Sequence, residues 1–513
     1  MQPAEIAQTA LSQAMPCVGL TDHRILTGSI EFVSACKRNG IRPILGLEVD
    51  IQGGKLSLLA MSMEGWSNLC RLSSALLLRD DPEASCTFDM PALYSKDLIA
   101  LSNHSLEELK VIFPDRLYVT LQDLTEARQL SDIAHSLGLP TVVTHPIYYL
   151  TPEQAPLQRT LTAIRLNQTL QDLPADAPAP HGSYFTSTQE MEARFQDFPD
   201  ALAATLQIAK RCRFDLPIGQ AHMPTVPLPD GISAAQFLQE KAFNGAKVLY
   251  GEITPIIQAR LDHELEVIAR MGFEPIFLIV EEIMEYARKT GVPFSSRGSA
   301  ASSLVAHCLG ITSPDPLRLN LYFERFLNPA RTTPPDIDTD LCSRRRDAVI
   351  QHVFDTYGME RVAMVSTINR FRARSALGEV AKAYGIEPAK VREMVNQLPY
   401  GFWARFEEAQ EGQDPPSPFA DLRISYPHYP QIFNDAEAIL KLPRHLSVHA
   451  GGLIVAPGVL TDLVPIMHSG SKGVIITQLD LESVEAMGLV KIDLLGIRGL
   501  TVLGDVGEFI TQR

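Results

Sequence analysis

The chain has 513 residues, of which 45% are hydrophobic and 20% are charged, and its formal net charge is −15. Because single hydrophobic cores stop growing near ~250–300 residues, this length predicts two or three domains. No apolar run approaches the ~20 residues of a membrane helix, and the first residues lack the features of a signal peptide, so we expect a cytoplasmic protein with no membrane partner. The seven cysteines are scattered without a CxxC pair, which favours neither a disulfide framework nor a zinc site.

The acidic total disfavours a nucleic-acid binder, yet basic residues gather in the second half of the chain. They include Arg344, Arg345, Arg346, Arg361, Arg370, Arg372, Arg374, Lys441 and Arg444. A local basic stripe can neutralise phosphates while the rest of the surface stays acidic. Taken alone, the charge pattern favours ordinary solvated helix faces.

A βαβ unit is predicted at residues 15–51, where two strand-like segments flank a helix capped by Thr27. Such a unit implies a parallel sheet. Asp22 and His23 end the first strand and Glu48 lies in the second, so the three could bind a metal at the carboxyl ends of the strands. A capping aspartate and a surface histidine explain the same residues equally well.

Two helices are predicted before the most informative segment of the chain. Residues 254–271 begin with Thr254 as the cap and Pro255 in the first turn, and residues 276–290 end at Gly291. Linkers or long loops are predicted at three proline-rich stretches, residues 171–182, 223–232 and 411–418.

The segment GVPFSSRGSAASSLVAHCLG predicts a strand, a turn of small residues and a further helix. Backbone amides at Gly298, Ser299 and Ala300 could approach a phosphate closely, and the positive end of the next helix would point toward it. A triphosphate pocket fits this pattern. Tight helix packing through small residues fits it as well.

Three aspartates alternate in the segment PPDIDTDLC. Alternation along a strand would place Asp336, Asp338 and Asp340 on one face, where their charges repel unless divalent cations lie between them. Mg²⁺ suits such a site because it binds a few carboxylates and keeps waters and phosphate oxygens as ligands. An EF-hand is excluded, since Leu341 stands where the calcium loop needs glycine.

A fourth acid, Asp493, lies in LVKIDLLG, which predicts a fully buried strand after a short helix that begins at Asp480 and ends at Gly488. A lone aspartate among apolar residues must be paired or must bind a metal. An ion pair with Lys491 is the structural alternative. The aspartates upstream favour the metal.

The motifs FERFLNP, PDIDTD, HAGG and LVKIDLLG, in this order after the Gly-Ser turn, resemble the palm of the bacterial C-family DNA polymerases, the DNA polymerase III alpha family. That palm is similar to the polymerase β nucleotidyltransferase superfamily. TDH, GLEV and residues 141–150 resemble the polymerase and histidinol phosphatase (PHP) domain that precedes the palm in this family.

The resemblance implies an α/β protein in which a PHP-like, TIM-like barrel is followed by a polymerase β-like palm with an inserted helical thumb. The implied domains are residues 1–215 for the PHP-like domain, 216–360 for the first part of the palm, 361–445 for the thumb and 446–513 for the second part of the palm. The implied activity is template-directed addition of dNMP from dNTPs to a primer 3′-hydroxyl, in replication or repair synthesis, by a two-metal mechanism.

The resemblance also assigns roles to residues. Asp336, Asp338 and Asp493 match the catalytic acids that bind two Mg²⁺ ions, and Asp340 is a further candidate ligand. The incoming dNTP would contact Arg297, Gly298, Ser299, His449, Gly451, Gly452 and Lys491. Primer–template DNA would contact Arg370, Arg372, Arg374 and Arg444.

Two departures from the family pattern qualify these expectations. The His-x-His strand of the PHP domain is missing, and Pro146 and Tyr148 stand where later metal ligands are expected, so Asp22, His23 and Glu48 would form only a residual site in a supporting domain. The fingers are also missing, so the sequence is expected to be a fragment, the product of a frameshifted gene or one half of a split enzyme. In the last case a second chain would carry the fingers, and other replisome subunits would be further partners. A non-catalytic polymerase remnant, a DNA-binding module and a PHP-type metal phosphoesterase are the alternatives.

Overall fold

The computed structural model describes residues 1–328, 334–398, 417–470 and 473–511. Most of the predicted linker at 411–418 lies outside the described residues, whereas residues 171–182 and 223–232 form loops as predicted. No described helix is both long enough and apolar enough to cross a membrane.

The first part of the chain is built on a six-stranded sheet whose strands are adjacent in chain order. The pairs β1/β2, β4/β5 and β5/β6 are parallel, and β2/β3 and β3/β4 are antiparallel. The strands are β1 (Cys17–His23), β2 (Arg42–Ile51), β3 (Gly54–Ala60), β4 (Leu98–Ser102), β5 (Leu117–Leu121) and β6 (Thr141–Val143).

Nine α-helices accompany this sheet in the described sequence up to residue 215. They are α1 (Pro3–Ser12), α2 (Ser29–Arg38), α3 (Met63–Leu77), α4 (Asp89–Leu93), α5 (Leu106–Ile112), α6 (Leu124–Ser136), α7 (Ala155–Leu166), α8 (Thr188–Arg194) and α9 (Pro199–Arg211).

The α/β class and the βαβ unit β1–α2–β2 are confirmed, with two corrections. Among the described residues the sheet is open, with β1 and β6 at its edges, so it does not close into a barrel. Thr27 does not cap α2. Gly28 occupies the cap position, and the Thr27 hydroxyl is buried without a hydrogen-bond partner.

A helical segment connects the two sheets through α10 (Ala234–Tyr250), α11 (Pro255–Met271) and α12 (Glu274–Lys289). Helix α11 begins as predicted, because the Thr254 hydroxyl accepts a hydrogen bond from the amide of Ile257 at 3.4 Å. Helix α12 is followed by Gly291, whose φ of +67° allows the chain to turn into the next strand.

The second sheet has seven strands in the order β11-β12-β9-β10-β13-β8-β7. They are β7 (Phe294–Arg297), β8 (Asp338–Cys342), β9 (Val362–Arg370), β10 (Pro443–Val455), β11 (Ile466–His468), β12 (Ile475–Asp480) and β13 (Lys491–Ile497). Four helices surround it: α13 (Leu304–Cys308), α14 (Arg346–Tyr357), α19 (Leu481–Ala486) and α20 (Arg498–Thr511). Strands β13 and β8, near the β7 edge of the sheet, are parallel neighbours.

The region predicted as the thumb contains a helical unit with its own core. Its helices are α15 (Ala373–Ala383), α16 (Pro388–Asn396), α17 (Ala420–Ser425) and α18 (Pro430–Ala438). Helix α7 from the first part packs against this core through Leu157, Leu161 and Ile164. The predicted range 361–445 includes all of β9 and the first residues of β10. Residues 362–366 of β9 are buried and pair within the second sheet, so this part of the range belongs to the sheet and not to the helical unit.

Candidate active site

Three carboxylates meet where strands β13 and β8 pair in the second sheet. Asp338 begins β8 and lies opposite Asp493 of the parallel strand β13, and Asp336 comes two residues before β8. Carboxylate oxygens of Asp336, Asp338 and Asp493 all lie within 4.8 Å of one another. Strand pairing therefore brings together the three residues that the sequence predicted as catalytic acids.

The buried member of this group, Asp493, is incompletely satisfied. One of its oxygens accepts a hydrogen bond from the Lys491 ammonium at 2.6 Å, whereas Oδ1 is buried with no hydrogen-bond partner in the described structure. Leaving a buried charged acceptor unpaired costs at least ~1–3 kcal/mol. A divalent cation with oxygen ligands would remove this cost, so the donor set fits a metal.

The pKa of Asp338 is affected by its burial and by the neighbouring acids. Burial, first, and the negative charge of Asp336, second, raise the pKa of the Asp338 carboxyl, while the nearby Arg297 guanidinium opposes the rise. Both effects oppose ionisation of the Asp338 carboxyl, and a cation bound beside it would favour the ionised carboxylate.

Asp340 is held apart from the three acids by Arg297. The guanidinium of Arg297 lies 3.1 Å from an Asp340 oxygen and 3.3 Å from an Asp338 oxygen. The hydrogen bond to Asp340 also raises the pKa of Arg297. The structure therefore groups Asp340 with an arginine and leaves it outside the cluster that could hold a metal.

Two backbone amides orient the His449 ring. Its Nδ1 accepts hydrogen bonds from the amides of Gly451 at 3.2 Å and Gly452 at 2.6 Å, which leaves Nε2 to carry a ring proton. Nδ1 also lies 4.0 Å from an Asp493 oxygen.

The charges around the cluster leave an excess of negative charge. Four carboxylates, at Asp336, Asp338, Asp340 and Asp493, face two cations, at Arg297 and Lys491. Two negative charges remain, which one or two divalent ions would offset.

The glycines predicted to bind the nucleotide lie beside the acids. Gly298 follows β7 with a φ of +82°, and a side chain there would begin 3.5 Å from an Asp338 oxygen. Gly452 lies opposite Asp493 in the sheet, and an added Cβ would come 2.8 Å from His449 Nδ1. Ser299 begins the short 3₁₀ turn that follows Gly298. Glycine is therefore favoured beside the acids by the positive φ at Gly298 and by the lack of room for a Cβ at Gly452.

The prediction that α13 directs its positive end at a phosphate is wrong. The amides of Leu304 and Val305 both donate to the carboxylate of Glu264 at 3.0 Å, and Arg260 donates to the same group at 2.6 Å. Glu264 is fully buried. Sequence analysis missed this residue, although an acid on the apolar face of α11, at helical spacing from Leu261, was a visible signal.

The predicted DNA-binding arginines lie where β9 and β10 meet the helical unit. Arg370 and Arg372 are exposed. Arg374 donates to the carbonyl of Leu398 at 3.3 Å, and Arg444 pairs with Glu379 at 2.8 Å. Arg370 also donates to the carbonyl of Lys441 at 3.1 Å, so three of the four guanidiniums have intramolecular partners.

The predicted residual site of the first sheet is not assembled as expected. His23 lies opposite Glu48, and its Nδ1 is 3.3 Å from a Glu48 oxygen. Asp22, the preceding residue on β1, extends from the opposite face of the sheet toward Gly28. The structure does not bring Asp22 to the other two residues.

The chain is similar to two known protein families. The family model described as the bacterial DNA polymerase III alpha NTPase domain matches residues 236–496, and the PHP domain model matches residues 1–135. The error-prone DNA polymerase of Symbiobacterium thermophilum is 34% identical, over 98% of this chain and 50% of its own length. The DNA polymerase III alpha subunits of Bacillus subtilis and Thermus aquaticus are 33% and 32% identical, over 96% and 97% of this chain and 46% and 49% of their own lengths. The chain thus spans about half the length of the curated relatives it matches.

Proposed function

The chain belongs to the bacterial DNA polymerase III alpha family, and on that premise we propose that it provides the catalytic palm of a DNA-directed DNA polymerase. The reaction is addition of dNMP from a dNTP to the 3′-hydroxyl of a primer on a template, in bacterial DNA replication or repair synthesis in the cytoplasm. The observation that carries the proposal is the cluster of Asp336, Asp338 and Asp493, with the unpartnered oxygen of Asp493 inside it.

The three clustered aspartates would hold two Mg²⁺ ions. When bound, these ions supply stabilisation of the charge that develops on the attacking and departing oxygens. Burial alone would lower the pKa of Lys491, but the hydrogen bond and charge of Asp493 raise it overall, so the lysine remains a cation beside the three acids. Arg297 fixes the position of Asp338 relative to β7.

The nucleotide would lie along the Gly298–Ser299 turn, next to Asp338. Because α13 directs its first amides at Glu264, the triphosphate would rely on the turn itself and on Arg297, which is 49% exposed. The Nε2–H of His449 is the other donor that this side of the sheet can offer. Primer–template DNA would contact Arg370 and Arg372 through its phosphates, without sequence preference.

An apolar face of helix α20 is a candidate site for a partner polypeptide. Helix α20 exposes five large apolar side chains, and such patches mark protein interaction sites. They are Val502, Leu503, Val506, Phe509 and Ile510. We assign this face to a partner that carries fingers, and other replisome subunits would join the same assembly.

Primer extension tests the proposal. We expect the chain alone to extend a primer extremely slowly, because closure over the nascent base pair can supply up to ~7–11 kcal/mol through alignment. Mixed with a fingers-containing partner, Mg²⁺ and dNTPs, it should polymerise, and Asp338→Ala should abolish that activity. Inactivity of the mixture, or equal activity with Asp338→Ala, would instead identify a non-catalytic remnant.

A further inference from the structure

Four charged or ionisable side chains share one face of the first sheet. Glu48 and Asp50 alternate along β2, His23 lies opposite Glu48 on β1, and Lys55 lies opposite Asp50 on β3. In a PHP domain this face would be expected to hold a metal. The contacts among these residues show whether it can.

The Lys55 ammonium already occupies the position next to Glu48. Its Nζ lies 2.6 Å from a Glu48 oxygen and 3.5 Å from the hydroxyl of Tyr148. A metal ion bound to that oxygen would lie against the ammonium, and the two positive charges would repel each other strongly. Tyr148, one of the two residues that stand in place of expected ligands, therefore contacts the lysine.

Both ring nitrogens of His23 contact carboxylates. Its Nδ1 lies 3.3 Å from Glu48 and its Nε2 lies 3.0 Å from Asp50, so the ring stands between the two carboxylates. A metal on this face would have to take one ring nitrogen as a ligand in place of its carboxylate contact, next to the oxygen that Lys55 already occupies. Among the described residues, the set that could hold a metal is the one in the second sheet.

The charges are balanced without an ion. The carboxylates of Glu48 and Asp50 face two cations, Lys55 and the buried Arg24, which lies 2.6 Å from Asp50. Glu83, on the far side of Arg24, is 90% exposed. The acids of the second sheet, in contrast, keep an excess of two negative charges.

We propose that the Lys55 ammonium takes the place of a metal ion on this face, so that the first sheet is a salt-bridged support that excludes divalent cations. The proposal does not depend on the polymerase activity of the chain. It predicts that removing the ammonium opens a cation site built from His23, Glu48 and Asp50. Zn²⁺ is the appropriate probe because imidazole and carboxylate ligands suit it.

Isothermal titration with Zn²⁺ tests this in the Asp336→Asn/Asp493→Asn background, where the cluster of the second sheet no longer contributes. Adding Lys55→Met should increase the stoichiometry by one Zn²⁺ per chain, and a further His23→Ala should remove that ion. Lys289→Met is the control, since it deletes an exposed ammonium 2.7 Å from Glu285 and should leave the stoichiometry unchanged.

Two results would overturn the proposal. One is a Zn²⁺ ion in the background protein that His23→Ala removes, because the lysine would then fail to exclude a metal. The other is no additional Zn²⁺ in the Lys55→Met protein. Circular dichroism checks the fold of each variant, and if Lys55→Met does not fold, Lys55→Gln replaces it with the same expected gain of one ion.

Discussion

At the scale of single residues, Asp493 and Asp340 are both buried acids of the second sheet, but their carboxylates have different partners. Asp493 has one oxygen on Lys491 and one without a partner, whereas Asp340 is neutralised by Arg297. Only the first arrangement leaves charge for a bound cation. The distinction gives a matched pair of variants.

We predict that Asp336→Asn/Asp493→Asn abolishes the main Mn²⁺ site. Mn²⁺ titration followed by electron paramagnetic resonance measures this directly. Asp340→Asn should retain binding within about tenfold, which corresponds to ~1.4 kcal/mol. Loss of the main site in a Glu48→Ala/Asp50→Ala protein, with the palm double variant unaffected, would move the metal to the first sheet.

Asp22 supplies a prediction about pH. Burial raises the pKa of its carboxyl from 3.8 to about 6. The stability that goes with its protonated form is therefore complete below pH ~3.8 and is lost as the pH rises through ~6. Asp22→Asn should gain up to about 3 kcal/mol of unfolding free energy relative to the wild type between pH 4 and pH 8. Urea unfolding at pH 4 and pH 8 measures the free energy of unfolding of both proteins. A difference between Asp22→Asn and the wild type that is the same at the two pH values would refute the prediction.

At the scale of elements, Glu264 connects two helices that are far apart in sequence. Its carboxylate on α11 accepts bonds from Arg260 and from the first amides of α13, and the Ser303 hydroxyl donates to it at 2.8 Å. Arg260 also donates to the carbonyl of Ser302 at 3.0 Å. The buried pair therefore fixes the segment that follows the Gly298 turn.

We predict that Glu264→Leu destabilises the chain by roughly 3–5 kcal/mol, because it leaves the Arg260 guanidinium and two amides without their buried acceptor. Glu264→Gln keeps one acceptor oxygen and should cost less. Glu266→Gln, an exposed position on the same helix, should change stability by no more than ~0.5 kcal/mol. Urea unfolding of the three variants measures their free energies of unfolding. Similar losses of stability for Glu264→Leu and Glu264→Gln would contradict the proposed role of the charge pairing.

Local signals explain what could be predicted at this scale. The Thr254 cap of α11 and the Asp480 cap of α19, whose carboxylate accepts from the Ser483 amide at 3.1 Å, depend on residues three apart in the chain. The Glu264 contacts and the packing of α7 against the thumb helices join residues far apart in sequence, so no local pattern revealed them. The open first sheet is a similar case, since closure depends on how its edge strands meet.

At the scale of the whole molecule, the two sheets share one hydrophobic core. Gln478 of β12 is fully buried between them. Its side-chain oxygen accepts from the Leu26 amide at 3.0 Å, and its nitrogen donates to the Ser73 hydroxyl at 2.9 Å. Trp66 donates to the carbonyl of Leu463 at 2.9 Å. These hydrogen bonds join the two parts of the chain directly, so the first sheet supports the second.

The net charge of −15 makes DNA binding depend on where the positive charge lies. We predict weak, sequence-independent binding to primer–template duplex through Arg370 and Arg372, which are exposed where the palm meets the thumb helices. Each phosphate contact releases counterions, so the affinity should fall steeply with salt. Arg374 is left out of the variant because it is half-buried and its guanidinium donates to both the carbonyl of Leu398 and the side chain of Asn396.

Replacing Arg370 and Arg372 by Ala should flatten the slope of log K against log salt by about 1.8, since each lost phosphate contact changes it by ~0.9 on B-form DNA. Fluorescence anisotropy with a labelled duplex at several salt concentrations measures the slope. Arg128→Ala is the control, because that arginine is 84% exposed but lies in the first domain. If the double variant keeps the wild-type slope, the duplex contacts another surface, and if Arg128→Ala flattens it equally, the binding is a general effect of net charge.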